Sequence, residues 1–185
     1  MKQRRMPSFL HDVFGEKQSI ATIAAILLFG GLLTTALYFV FPQMTAHVPV
    51  WRSALAMLLI FDAASGCAAN FSASTSGFYA ARKTNRIVFI AVHVHIVLIA
   101  LLLKTGIGFS IAAWAYTIAG AFVVNALIGR RSQPFVAGLL LAAGLSWVPM
   151  VPDIPPYMLI AGILFMLKVL YGFAVDHYGN APHAK

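Results

Sequence analysis

The chain has 185 residues, of which 61% are hydrophobic and 10% charged, and its mean hydropathy is +0.85. Soluble domains carry roughly 25% charged residues, and a soluble core of this size is too small to hide so much apolar surface. We therefore predict an all-α, polytopic integral membrane protein. The net charge of +8 would suit nucleic-acid binding in a soluble protein. Here the cations lie between apolar runs, as they do in loops between membrane spans, so nucleic acid is not an expected partner.

Cys67 is the single cysteine, which excludes an intrachain disulfide and a cysteine-based metal cluster. The basic amino-terminal residues followed by an apolar run have the pattern of a signal peptide. This run exceeds twenty residues and lacks a clear A-x-A site, so we predict that it is retained as a first span. Residues 1–18 before it form either an interfacial helix at an anionic membrane surface or an ordinary juxtamembrane tail.

Six apolar segments are long enough to cross a membrane as helices, and they predict a single transmembrane domain over residues 1–185. Pro42 ends the first segment, and four prolines within residues 148–156 separate the fifth from the sixth. The predicted spans, numbered 1 to 6, cover about residues 20–41, 51–70, 87–104, 107–128, 134–150 and 157–174.

The distribution of Lys and Arg predicts that both termini are cytoplasmic. With six spans, ten cations fall on the same side of the membrane as the amino terminus and two on the opposite side, leaving out Lys168 within span 6. This imbalance follows the positive-inside rule, and Trp51, Trp114 and Trp147 then suit the outer interface. We expect a multi-pass plasma-membrane protein of the bacterial inner-membrane kind, with lipid as a partner. The inside cations are Lys2, Arg4, Arg5, Lys17, Arg82, Lys83, Arg86, Arg130, Arg131 and Lys185, and the outside ones are Arg52 and Lys104.

Asp62 is the residue that most needs an explanation, because a carboxylate at the centre of a membrane helix costs about 2.5–3.5 kcal/mol on insertion scales. The residues that follow it on one face of the predicted helix are all small or polar, namely Ser65, Gly66, Ala69, Asn70 and Ala73. Small residues on this face permit another helix to pack closely. Alternatively, the face lines a cavity that begins at Asp62.

His93 and His95 lie in span 3 at a separation of two residues, which places them on nearly opposite faces of a regular helix. We therefore expect at most one of them to share a site with Asp62. Asp62 and His93 alone would be a thin ligand set for a metal, so no metal site is predicted and the cofactor stays open. Lys168 either extends to the interface or pairs with Asp62.

In the predicted topology, the polar residues within the spans fall between the midplane and the cytoplasmic face. The outer half of the bundle is apolar and aromatic. This asymmetry predicts a polar pocket that opens to the cytoplasm. Its candidate residues are Asp62, Ser65, Asn70, His93, His95, Asn125 and Lys168.

The segment between spans 2 and 3, residues 71–86, combines hydroxyl groups with cations. It either extends span 2 as a helix or forms a loop. In the second case its side chains suit a phosphate or a lipid headgroup. The candidate contacts are Ser72, Ser74, Arg82, Lys83 and Arg86.

The leading hypothesis for function is binding or transport of a small solute, a proton or a lipid. Asp62 and one histidine would carry the proton or ligand, and Lys168 would supply the counter-charge. Because six helices are few for alternating access, a homo-oligomer or a partner subunit is expected.

Two alternatives belong to other classes. One is a membrane enzyme that acts on lipid as a hydrolase or transferase, with Asp62, His93 or His95, and Ser65 or Ser72 at its site. The other is a structural or assembly factor whose polar residues only hold helices together.

Overall fold

The structure, a computed structural model, describes residues 3–179. It is all-α and 77% helical, and six of its helices are long and apolar enough to cross a membrane. These helices indicate a multi-pass membrane protein and confirm the predicted number of spans. Lys2 and Lys185, two of the cations counted above, lie outside the described residues. Spans 1 to 6 cover Ile20–Val40, Val50–Asn70, Lys83–Leu103, Ile107–Ala126, Gln133–Met150 and Pro156–Phe173.

The spans are joined and partly subdivided by shorter elements. In chain order the elements are β1 (Gln3–Arg5), a 3₁₀ turn (Ser8–Leu10), α1 (His11–Phe14), β2 (Lys17–Ser19), α2 (Ile20–Val40), α3 (Gln43–Ala46), α4 (Val50–Asn70), α5 (Ala73–Ala80), α6 (Lys83–Val92), α7 (His95–Leu103), α8 (Ile107–Ala126), α9 (Gln133–Trp147), a 3₁₀ turn (Val148–Met150), α10 (Pro156–Met166) and a π-helical segment (Leu167–Phe173). Span 3 therefore consists of α6 and α7, and span 6 of α10 and the π-helical segment.

Local chemistry explains where several spans begin. Ser19 caps span 1, because its hydroxyl accepts a hydrogen bond from the backbone N–H of Thr22. Pro156 is the first residue of span 6, where its missing N–H costs nothing. Span 3 begins at Lys83 rather than at residue 87, and Arg86 is the first residue of α6 whose side chain is buried in the bundle.

Burial places span 6 at the centre of the bundle and span 1 at its edge. Within their most apolar windows, 67% of span 6 is buried but only 17% of span 1. Span 1 packs mainly against span 2, whereas span 6 contacts spans 2, 3, 4 and 5. A polar residue on span 6 is therefore enclosed by the rest of the bundle.

Residues 3–19 fold into a compact unit, which we call the N-terminal segment. The strands β1 and β2 pair antiparallel, and the 3₁₀ turn and α1 lie between them along the chain. The unit packs on α5, where Thr75 Oγ1 donates to the Val13 carbonyl at 3.1 Å and Gln18 Nε2 donates to Ser72 Oγ at 2.9 Å. The N-terminal segment is therefore neither a single interfacial helix nor a plain tail.

The region between spans 2 and 3 differs from both predicted alternatives. It forms a separate helix, α5, which begins after Ser72 and is not continuous with span 2. The Ser72 hydroxyl caps this helix by accepting from the Thr75 N–H. This local cap gives α5 its own direction and makes it the platform for the N-terminal segment.

Adjacent glycines in span 1 differ sharply in their surroundings. A Cβ atom added at Gly30 would collide with Ser65 Oγ of span 2, whereas one added at Gly31 would meet nothing within 4 Å. We expect Gly30→Ala to destabilise the protein by about 1–3 kcal/mol through overpacking. We expect Gly31→Ala to be neutral or to stabilise by up to about 1 kcal/mol through helix propensity.

The stability of both variants is measured by thermal unfolding in detergent, which is detected as labelling of Cys67 with a thiol-reactive fluorophore. Cys67 is the single cysteine and is only 6% exposed, so labelling reports unfolding. Equal midpoints for the two variants would contradict the close approach of spans 1 and 2 at Gly30.

Candidate functional site

Span 3 is interrupted near its middle, between α6 and α7. His93 has an extended backbone (φ −77°, ψ 90°), and the helix restarts at His95. Two carbonyl groups near the interruption are satisfied by side chains. His93 Nδ1 donates to the Phe89 oxygen at 2.5 Å, and Trp114 Nε1 donates to the His93 oxygen at 3.0 Å. These bonds satisfy carbonyl groups that the interruption leaves without helical partners, which permits irregular backbone within a membrane.

The interruption leaves a cavity between α4 and α6. After the interruption α7 packs against α4, whereas before it α6 packs against α5 and α8. The space has a volume of about 470 Å³. Asp12 and Thr84 line it near the N-terminal segment, and Asp62 lines it about 12 Å along span 2 from Asn70 at 1.5 Å per residue. The cavity therefore reaches from one end of the bundle toward its middle.

An ion pair between spans 2 and 6 lies in this cavity. Lys168 Nζ is 2.5 Å from Asp62 Oδ2 and 3.3 Å from the Asp62 carbonyl oxygen. The two side chains differ in exposure, at 4% for Lys168 and 48% for Asp62. Of the two predicted roles of Lys168, the structure shows the pairing with Asp62. The ammonium is enclosed by protein, while the carboxylate is open to the cavity.

Both histidines line the cavity with Asp62, which corrects the expectation that at most one would do so. Their ring centroids are 5.0 Å apart, and His95 Nε2 lies 3.6 Å from Asp62 Oδ2. The expectation assumed a regular helix, in which residues two apart diverge. The interruption at His93 turns the two rings toward the same space.

The π-helical segment and a glycine on span 2 together make room for Lys168. In this segment the Ala174 N–H donates to the Val169 carbonyl, five residues back, and the Lys168 carbonyl accepts from Asn70 Nδ2 at 3.0 Å. A Cβ atom at Gly66 would lie 2.5 Å from Lys168 Cε and 2.8 Å from Nζ. Gly66 therefore serves the close approach of the lysine. π-helical turns are often found at functional sites.

The remaining predicted pocket residues have different positions. Asn70 lines the cavity and bonds to span 6. Ser65 is buried against Gly30 of span 1, and its hydroxyl has no hydrogen-bond partner among the described residues. Asn125 lies elsewhere in the bundle, where its Oδ1 accepts from Arg86 Nε at 2.9 Å. The structure therefore brings Asn70 into the site but not Ser65 or Asn125.

The predicted headgroup contacts do not form one cluster. Ser72 caps α5, and Ser74 Oγ accepts from the Lys17 N–H at 3.2 Å. Arg82 pairs with Glu16 at 2.6 Å, while Lys83 is exposed at the start of α6. Arg86 is 1% exposed and points into the bundle instead. Arg82 is the residue before α6, which begins at Lys83, whereas Arg86 lies within that helix.

Sequence reasoning missed Asp12, Tyr79 and Trp114. Tyr79 Oη donates to the Asp12 carbonyl at 3.0 Å, so the N-terminal segment closes over part of the cavity. Burial, and then the Asp12 carboxylate, raise the pKa of Tyr79 above its usual range, which keeps the phenol a donor. Trp114, expected at the interface, instead bonds to the interrupted helix. Only the amphipathic character of Trp and Tyr could have signalled these bonds.

The chemistry of the cavity is that of proton exchange, hydrogen bonding and charge pairing. Within residues 3–179, no group of three His, Cys, Asp or Glu side chains could hold a metal ion. No protein family, curated protein or solved structure matches this chain. Neither Ser65 nor Ser72, the nucleophiles of the enzyme alternative, is among the residues that line the cavity.

Proposed function

We propose that this protein binds or transports a small solute through the cavity at Asp62, as a component of a cellular membrane. The observation that carries the proposal is the unequal exposure of the ion pair, 48% for Asp62 against 4% for Lys168. A pair that only joined two helices has no need of a carboxylate exposed inside a cavity, where solvent screening weakens its attraction to the ammonium. The open carboxylate is a contact point for a ligand.

Two further features support the proposal. Charged groups inside a membrane commonly mark solute or proton pathways. Interrupted helices at the depth of the bilayer are tolerated where they line such a cavity. Span 3 is interrupted at His93, and the two histidines beside the interruption face Asp62.

We further propose that the cavity opens toward the cytoplasm of the bacterial inner membrane. The cavity reaches the end of the bundle that carries the N-terminal segment and the start of α6. That end holds most of the described Lys and Arg residues, which the positive-inside rule places in the cytoplasm. A periplasm-active reporter fused after Lys104 should be active, and one fused after Arg131 inactive. The reverse pattern would contradict the orientation.

Native mass spectrometry of the protein released from lipid nanodiscs tests the binding function. The site variant is Asp62→Asn/Lys168→Met, which removes both charges together and avoids an unpaired buried ammonium. The control is Glu16→Gln/Arg82→Met, which neutralises an exposed ion pair outside the bundle. We expect a bound small molecule in the wild type and in the control, and at least tenfold less of it in the site variant.

Equal ligand content in the wild type and the site variant, with both folded, would contradict the proposed function. The same spectra report subunit mass, and so test the predicted homo-oligomer or partner subunit.

A further inference from the structure

We propose that the solute of the Asp62 cavity is a protonated amine with a compact apolar body. This inference rests on the proposed function and names the class of its ligand. It follows from the hydrogen-bonding groups that the cavity leaves unused, from its charge, and from the apolar wall beside the ion pair.

The first unused group is an oxygen of Asp62. The ammonium of Lys168 and the ring of His95 both approach Oδ2, at 2.5 and 3.6 Å. Within residues 3–179, no hydrogen bond reaches Oδ1. An ionised carboxylate offers about four acceptor positions and donates none. Oδ1 can therefore accept from a ligand without displacing Lys168.

His93 adds an acceptor rather than a donor. His93 Nδ1 lies 2.5 Å from the Phe89 carbonyl, which can only accept, so the proton is on Nδ1 and Nε2 of the neutral ring is an acceptor. His95 Nε2 faces the Asp62 carboxylate at 3.6 Å, which is too long for a hydrogen bond. Its Nδ1 is buried and has no partner among the described residues. His95 Nδ1 is therefore closed to a ligand, whereas a ligand that meets His93 Nε2 must supply an N–H or O–H donor.

The net charge of the cavity also favours a cationic ligand. With neutral histidines, its charged groups among the described residues are the carboxylates of Asp12 and Asp62 and the ammonium of Lys168. These leave one net negative charge. An anionic solute would add to that charge, whereas a singly protonated amine would balance it.

An apolar wall faces this polar group. Val88, Phe89 and Val92 of α6 line the cavity, and Tyr79 adds a second aromatic ring. Aromatic faces attract cations by about 0.5–2 kcal/mol. The volume of about 470 Å³ is within the range of small-molecule sites. An ammonium group with an aryl or short alkyl body therefore suits both sides of the cavity.

Isothermal titration of the protein in nanodiscs, with empty nanodiscs as the reference, tests the inference. The probe is 2-phenylethylammonium, and the matched probes are 3-phenylpropanoate and 2-phenylethanol, which change only the head group. We expect saturable binding of the amine and at least tenfold weaker binding of the other two. The double variant Asp62→Asn/Lys168→Met should bind the amine at least tenfold more weakly than the wild type.

The single variant Lys168→Met separates cationic from anionic ligands by the sign of its effect. It removes the cation that competes for Asp62, so amine binding should tighten about tenfold. Binding of an anion would weaken in the same variant. Circular dichroism confirms that each variant is folded before titration.

Preferential binding of 3-phenylpropanoate, weakened in Lys168→Met, would overturn the amine inference and leave the proposed function standing. Failure of all three probes, with a site-dependent molecule still seen by native mass spectrometry, would also overturn only the inference. Failure of the probes together with no site-dependent molecule would overturn both proposals.

Discussion

Asp62→Asn should destabilise the protein by about 3–5 kcal/mol, and by more than Lys168→Met, although both substitutions break the same ion pair. Removing one partner of a buried pair leaves the other charge uncompensated. In Asp62→Asn the orphan is Lys168, which is 4% exposed. In Lys168→Met the orphan is Asp62, which is 48% exposed and open to the cavity. We expect about 1–3 kcal/mol for that second loss.

The double variant Asp62→Asn/Lys168→Met should be more stable than Asp62→Asn alone, because it leaves no buried charge. Unfolding in increasing fractions of sodium dodecyl sulfate, followed by circular dichroism, gives the four free energies of this cycle. The matched cycle at Glu16 and Arg82, whose side chains are 54% and 37% exposed, should show a coupling of at most about 1 kcal/mol. Equal losses in the two single variants would show that Lys168 has the same access to solvent as Asp62.

Arg86→Ala should destabilise the protein by about 3–5 kcal/mol. Arg86 is 1% exposed, donates from Nε to Asn125 Oδ1 at 2.9 Å and donates from a terminal nitrogen to the Ala174 carbonyl at 2.6 Å. Its guanidinium also lies 5.7 Å from the ring centroid of Phe173. The substitution removes a large buried side chain and leaves an amide oxygen without its donor. Arg86 joins the start of span 3 to span 4 and to the end of span 6.

The matched control for Arg86 is Lys83→Ala, since Lys83 is an exposed cation one turn earlier on the same helix. We expect that control to change stability by no more than about 0.5 kcal/mol. Arg86→Lys should recover only part of the loss, because an ammonium lacks the fork of donors that reaches two acceptors. The same unfolding titration measures these variants, and similar losses for the Arg86 and Lys83 variants would contradict the bridging role.

Hydropathy was sufficient to locate the spans. Their limits agree with the structure within one or two residues at most ends, because continuous apolar helices are terminated by Pro42, Pro49 and Gly106. The start of span 3 was less predictable. The sequence does not distinguish a buried arginine, with partners elsewhere in the bundle, from an exposed cation in a loop.

The candidate site could be predicted only in part. Asp62 and Lys168 were recognisable because each is an ionisable residue in an apolar helix, and their pairing was one of two alternatives. The interruption at His93 was not recognisable, because no proline or glycine marks it and the indole of Trp114 supports it from another span. The sequence could therefore not predict that both histidines line the cavity, because the bond from Trp114 joins residues that are distant in the chain.

The fold of residues 3–19 was also beyond local reasoning. Short strands of three residues carry little pattern, and the unit is held by contacts to α5 more than fifty residues away. Its polar residues resemble an ordinary juxtamembrane region. The segment that closes over the cavity is therefore specified by partners that the local sequence does not contain.

The separation of Asp62 and Lys168 by 106 residues has a consequence for biosynthesis. Ribosomes add about 5–20 residues per second, so the lysine is synthesised about 5–20 s after the aspartate. During that interval span 2 carries a carboxylate whose counter-ion does not yet exist. His95, in the next helix to emerge, is the first basic group that reaches it. Nascent chains that end before span 6 should therefore be held longer by the insertion machinery than chains of the same length that carry Asp62→Leu.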